Sequence, residues 1–249
     1  MPETFALVHF LNGLLSGLEV NAFQWIGIQT AEASKTALEL NRSLALELIV
    51  FCALIVFFIV VRLTLSVEKP NAMQQIAEMI HEFTGGQADS IIGHGYERFQ
   101  AFVTCIFLFV ILNNLLGVIP GLDTPTANPS VPLAIAMLTF LYYNFHGVRV
   151  HGPIGYLKEF AGPIWWIAPL LFVIEIISHL ARVMSLTIRL YANMLASDLV
   201  SLVFFSLMPM AIPVAFLGLH AAVSVIQAYV FMILSIIYLS MAVAHEEGH

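Results

Sequence analysis

From Ile164 to Leu207 the chain contains no glycine and a single proline, Pro169, and most of that stretch is apolar. As one continuous helix it would run about 60 Å, twice the roughly 30 Å of a bilayer's hydrocarbon core. Such a segment must either break into two spans or lie strongly tilted. It also carries Arg182 and Arg189 within its apolar run. An arginine at a bilayer centre costs about 2.5–3.5 kcal/mol even on the lenient insertion scale, so a functional reading is the default.

That argument presumes a membrane, and composition supplies one. Of 249 residues, 60% are hydrophobic and 10% charged, with a mean hydropathy of +0.92. A soluble domain has roughly a quarter of its residues charged. Apolar surface in this proportion has to face lipid or sit inside a membrane bundle. The length leaves no room for a separate soluble enzyme domain, so residues 1–249 read as a single integral membrane domain. A net charge of -7 without any basic cluster excludes nucleic acid as a partner. Cys52 and Cys105 both lie in apolar runs and read as small core residues, not as a disulfide. No Lys or Arg precedes Lys35, so Phe5 to Leu18 lacks the basic flank of a secretory signal and is expected to form a short interfacial or re-entrant helix.

The expected fold class is all-α. Membrane helices are predicted at 44–65, 99–119, 133–145, 164–207 and 214–244. After Pro70, Met73, Ile76, Ala77, Ile80 and Phe83 recur at helical spacing between polar residues. This predicts an amphipathic helix over 71–84, too polar to span, lying along the membrane surface and ended by Gly85-Gly86. A Pro-rich turn (residues 123–132) precedes the third span, and a polar loop over 146–158 follows it. Arg62, Lys69, Arg98, Arg149 and Lys158 fall in two of the loops, against Lys35 and Arg42 before the first span. The positive-inside rule then puts the N-terminus outside and the 62–98 and 146–158 loops inside. The C-terminal tail has no basic residue, so that rule does not place it.

At about 100° per residue, Glu175, His179, Arg182, Arg189, Asn193 and Ser197 fall within roughly 40° of one line on the long helix. Lipid cannot solvate such a stripe. The final helix answers with His220, Ser224, Gln227 and Tyr238 on one face. Asp198 lies off the first stripe, but a tilted helix pair could bring it to His220. Carboxylate, imidazole, amide and hydroxyl groups in a row suit a proton or water path. Glu175 and Arg182, seven residues apart, could also pair through His179 and only fix packing. For Arg189 that bland reading is weaker, because no carboxylate stands three or four residues away on its helix. Its partner must come from another helix or another protein. The terminal His245-Glu246-Glu247-Gly248-His249 matches the zinc-protease pattern, but it ends the chain and contains glycine, so neither a metal site nor a cofactor is expected.

At Ser185 to Val200 (SLTIRLYANMLASDLV) the sequence resembles the a subunit of F-type ATP synthases, the ATPase subunit 6 family. His220, Gln227 to Phe231, Tyr238 to Ala242, Asn113 to Gly121 and the KPN at the start of the amphipathic segment resemble it too. The resemblance covers nearly the whole chain and implies five crossings, the last two a long tilted hairpin against a rotating ring of c subunits. It implies that Arg189 faces the ring carboxylates and blocks a direct leak between two half-channels. Asp198, His220, Asn193 and Gln227 would serve the outer half-channel, and Glu175 with His179 the inner one. Family members usually carry Glu or His where Asp198 stands. Implied partners are the c ring, the peripheral-stalk b subunits, membrane lipids and, indirectly, the catalytic head. With no Arg- and Ser-rich transit segment, the expected location is a bacterial inner membrane, with the C-terminus cytoplasmic, and by the resemblance the chain itself would make no ATP. The competing reading is a self-contained proton-coupled transporter. That reading predicts an internal repeat with broken helices in matching halves, and the sequence has neither.

Overall fold

The computed structural model describes residues 42–66, 70–119, 122, 124–161, 166–207 and 211–243. Over these the chain is helical: α1 (Arg42–Leu63), α2 (Ala72–Ile92), α3 (Glu97–Leu116), a 3₁₀ turn (Pro125–Ala127), α4 (Ser130–Ala161), α5 (Ala168–Leu207) and α6 (Ala211–Val243). Five of them contain stretches long and apolar enough to cross a membrane: Leu46–Leu63, Glu97–Leu116, Ser130–Gly152, Ala168–Phe204 and Val214–Val243. The expected N-terminal helix (5–18) and the HEEGH tail lie outside the described residues.

Three expectations need correction, two of them on helix bounds. The segment 146–158, read as a polar loop, continues α4 to Ala161. Its glycines and proline mark a kink, because Gly152 has φ 73 and ψ 161, a region open essentially to glycine alone. The amphipathic helix does not stop at Gly85-Gly86 but runs on to Ile92. Gly85 is buried against α3, where a side chain at this position would collide with the Gln100 amide. Gln100 donates from Nε2 to the His81 carbonyl at 2.7 Å, and the Thr84 and Thr104 hydroxyls meet at 2.7 Å. This close approach offsets the roughly 1 kcal/mol that each helical glycine costs.

One core joins α2 to α6, with Val103, Val110, Leu190, Met194, Met232, Ile236 and Leu239 sealed inside it. The outer faces are as apolar as the inside: on α1, Phe51, Val56 and Leu63 all point away from the bundle. Cys52 and Cys105, expected in the core, are exposed and unpaired. Lipid explains the miss, since an apolar residue on a membrane helix is not driven inward as it is in water.

Helix α5 stays unbroken over 40 residues. Of the two outcomes open to so long a helix, breaking is therefore ruled out, and it must incline steeply to keep its apolar length in lipid. With α6 it forms an antiparallel hairpin. Asp198 faces His220, Asn193 meets Gln227, and Arg182 meets Tyr238.

Candidate functional site

The polar side chains of the hairpin gather at its two ends. At the end near the start of α5, Glu175 Oε1 lies 3.5 Å from His179 Nε2 and 3.6 Å from Arg182 Nη2. These are three helical neighbours on one face, as the sequence spacing implied. The structure adds aromatic walls from other helices. The Tyr143 hydroxyl on α4 is 2.8 Å from His179 Nδ1, and the Arg182 guanidinium sits 5.5 Å from the centre of the Tyr238 ring on α6. Tyr143 is 2% exposed, whereas the Glu175 side chain is 38% exposed, so the carboxylate is the outward member of a buried group.

At the opposite end, Asp198 Oδ1 lies 3.6 Å from Nδ1 of His220, which is fully buried. Thr124, just before the 3₁₀ turn, donates its hydroxyl to the same carboxylate oxygen at 2.8 Å. Around them Thr126 donates to Asn114 Oδ1 at 2.6 Å, and Ser224 Oγ donates to the Asn114 carbonyl at 3.3 Å. Gly117 has to be small, because a Cβ there would collide with the Thr124 hydroxyl and come within 3.0 Å of His220 Nε2. Neither ring nitrogen of His220 has a hydrogen-bond partner among the described residues. A buried, unsatisfied polar atom costs about 1–3 kcal/mol, so its retention calls for a functional explanation.

Between these ends the side chains buried in the hairpin are mostly apolar. Val183, Leu186 and Leu190 of α5 are buried in the same cluster as Phe231, Met232 and Ile236 of α6. Arg189 lies in this stretch, about 21 Å along the helix from Glu175 and about 14 Å from Asp198 at 1.5 Å per residue. It is half-buried and makes no ion pair or hydrogen bond among the described residues. One turn further on, Asn193 Nδ2 donates to Gln227 Oε1 at 2.8 Å, joining the two helices.

All seven residues singled out from the sequence therefore lie along one hairpin: Glu175 and His179 together, Asp198 and His220 together, Asn193 with Gln227, and Arg189 alone. Sequence reading gave no site role to Tyr143, Thr124, Thr126, Asn114 or Gly117, although Asn114 and Gly117 lie in the Asn113 to Gly121 segment that carries the resemblance. These belong to α3, α4 and the Pro-rich turn, and no periodicity within α5 or α6 signals them. Asn113-Asn114 in an apolar run was the available clue. Among the described residues no group of three or more His, Cys, Asp or Glu could hold a metal ion.

Residues 44–240 match the family described as ATP synthase A chain. The chain is 48% identical to ATP synthase subunit a of Koribacter versatilis (strain Ellin345) over 249 residues, the whole of both proteins. It is 44% identical to ATP synthase subunit a of Solibacter usitatus (strain Ellin6076) over 81% of this chain and 86% of that one. Against ATP synthase subunit a of Helicobacter pylori (strain P12) the identity is 39%, over 81% of this chain and 90% of the other.

Proposed function

Because this chain belongs to the ATP synthase A chain family, as a multi-pass membrane subunit of that complex, we propose that it is the stationary half of the complex's proton pathway. One half-path reaches the Glu175 end of the hairpin and the other the Asp198 end, and both open toward carboxylates on a ring of c subunits. Arg189 stands between them. Its guanidinium stays charged at any working pH, so each ring carboxylate is ionised as it passes and no proton jumps from one half-path to the other. The work comes from the transmembrane potential, about 2.3 kcal/mol per charge per 100 mV, plus the pH difference. Under this reading the chain makes no ATP itself, sits in a bacterial inner membrane and is held against the ring by b subunits.

The observation that carries the reading is the position of Arg189. It is a permanent cation in an apolar stretch, without a partner among the described residues, and has a buried polar group on either side of it. An intramembrane charge left without a partner in its own chain calls for one from outside.

The experiment is ATP-driven proton pumping in inverted membrane vesicles, wild type against Arg189→Ala, with assembly checked by immunoblot. An assembled mutant that pumps nothing supports the reading. An assembled mutant that pumps normally overturns it.

A further inference from the structure

Tyr143 has no part in the half-paths described above, yet it is among the most deeply buried polar side chains of the bundle. Its hydroxyl lies 2.8 Å from His179 Nδ1, and the two rings are nearly parallel, 18° apart with centroids separated by 5.8 Å. Phe140, one turn earlier on α4, meets both rings edge-on, 5.4 Å from Tyr143 and 6.1 Å from His179. The imidazole is therefore clamped by α4 on one side, while its other nitrogen points along α5 to Glu175 at 3.5 Å.

We propose that Tyr143 is a positioning residue that fixes the neutral tautomer of His179, so that the imidazole presents Nε2–H to the Glu175 carboxylate. The proposal rests on the reading of Glu175 as the carboxylate of one half-path. A phenol is protonated at working pH and donates readily, while a carboxylate only accepts. In a neutral imidazole one nitrogen accepts and the other donates. With the phenol donating to Nδ1, the ring proton sits on Nε2. Glu175 Oε1 then receives one neutral donor, the imidazole N–H, and one fixed cation, Arg182 Nη2 at 3.6 Å. The ionisable groups gathered around this imidazole are Glu175 and Arg182 on α5, Tyr143 on α4 and, with its ring tilted 52° to that of Tyr143, Tyr238 on α6. Because Tyr143 belongs to α4, it ties the donor set of Glu175 to a helix outside the hairpin.

The test uses the intact ATP synthase reconstituted in liposomes with its histidines ¹⁵N-labelled. The His179 signals are assigned by difference against His179→Gln. In the wild type Nδ1 should resonate as the unprotonated nitrogen and Nε2 as the protonated one. Tyr143→Phe should lose that bias and lower ATP-driven pumping about three- to tenfold, the worth of one hydrogen bond. His179→Gln, which keeps an N–H donor near the Nε2 position, should pump less than the wild type but several-fold more than His179→Leu, and equal loss in the two variants overturns the proposal. A protonated Nδ1 in the wild type overturns the proposal, and that spectrum decides even if Tyr143→Phe fails to assemble. A spectrum unchanged by Tyr143→Phe overturns it as well. An assembled Glu175→Gln enzyme that pumps normally would remove the functional reading while leaving the tautomer measurement standing.

Discussion

The two polar ends of the α5–α6 hairpin each set a carboxylate beside a histidine, and the two histidines stand in opposite states of satisfaction. At the Glu175 end one carboxylate oxygen is shared by an imidazole and a guanidinium, the imidazole is held from behind by Tyr143, and the guanidinium lies over Tyr238. At the Asp198 end the carboxylate accepts from a hydroxyl of the 3₁₀ region and faces a histidine at 3.6 Å, whose two nitrogens have no hydrogen-bond partner among the described residues. A satisfied group is rigid and resists change, whereas an unsatisfied one keeps capacity to take or give a proton. Under the proposed function, the Asp198 end passes protons through the imidazole, while the Glu175 end is tuned by its fixed surroundings.

Substitutions can break or sharpen this contrast. The largest effect is expected from Asp198→Asn: pumping should fall about a hundredfold, the scale of losing a positioned acid–base group, in an enzyme that still assembles. A fall no deeper than that of Glu175→Gln would erase the difference between the ends. Gly117→Ala comes next. The new methyl group displaces Thr124 and crowds His220, so thermal dissociation of the purified complex should show a loss of about 1–3 kcal/mol. Gly86→Ala is its control, since nothing lies within 4 Å of that site, and it should gain up to about 1 kcal/mol of helix stability. Glu175→Gln should slow pumping about three- to tenfold, because Tyr143, His179 and Tyr238 still order the site around it. Smallest is Asn193→Ala, which removes the bond to Gln227 and should cost about 1 kcal/mol in stability.

The hairpin was the most legible part of the sequence. Charge in an apolar helix is so costly that Glu175, Arg182 and Arg189 stood out, and helical spacing placed His179 with Glu175 without any tertiary information. The meeting of Asp198 with His220 could be anticipated, because both flank the turn between α5 and α6. What periodicity could not reach were partners brought in from elsewhere: Thr124 and Thr126 from the Pro-rich turn, Asn114 from α3 and Tyr143 from α4. Gly85, Gly117 and Gly152 misled or stayed silent for a related reason. A glycine reads locally as a stop, yet Gly85 and Gly117 serve close packing within or beside helices, and Gly152 kinks α4 where a loop was expected. Cys52 and Cys105 were misassigned because sequence hydropathy does not separate a lipid-facing position from a buried one.

Under the proposed function, the two polar ends are reached from opposite sides of the membrane and are separated by dry packing around Leu190. Single cysteines in a background without Cys52 and Cys105 test it directly: Ser178→Cys, Leu190→Cys and Ser197→Cys, each assembled in sealed vesicles and exposed to a membrane-impermeant thiol reagent from one side at a time. The account predicts that Ser178→Cys reacts only from the face bearing the ATPase head, Ser197→Cys only from the other face, and Leu190→Cys from neither. Labelling of Leu190→Cys, or labelling of Ser178→Cys and Ser197→Cys from the same face, would contradict it.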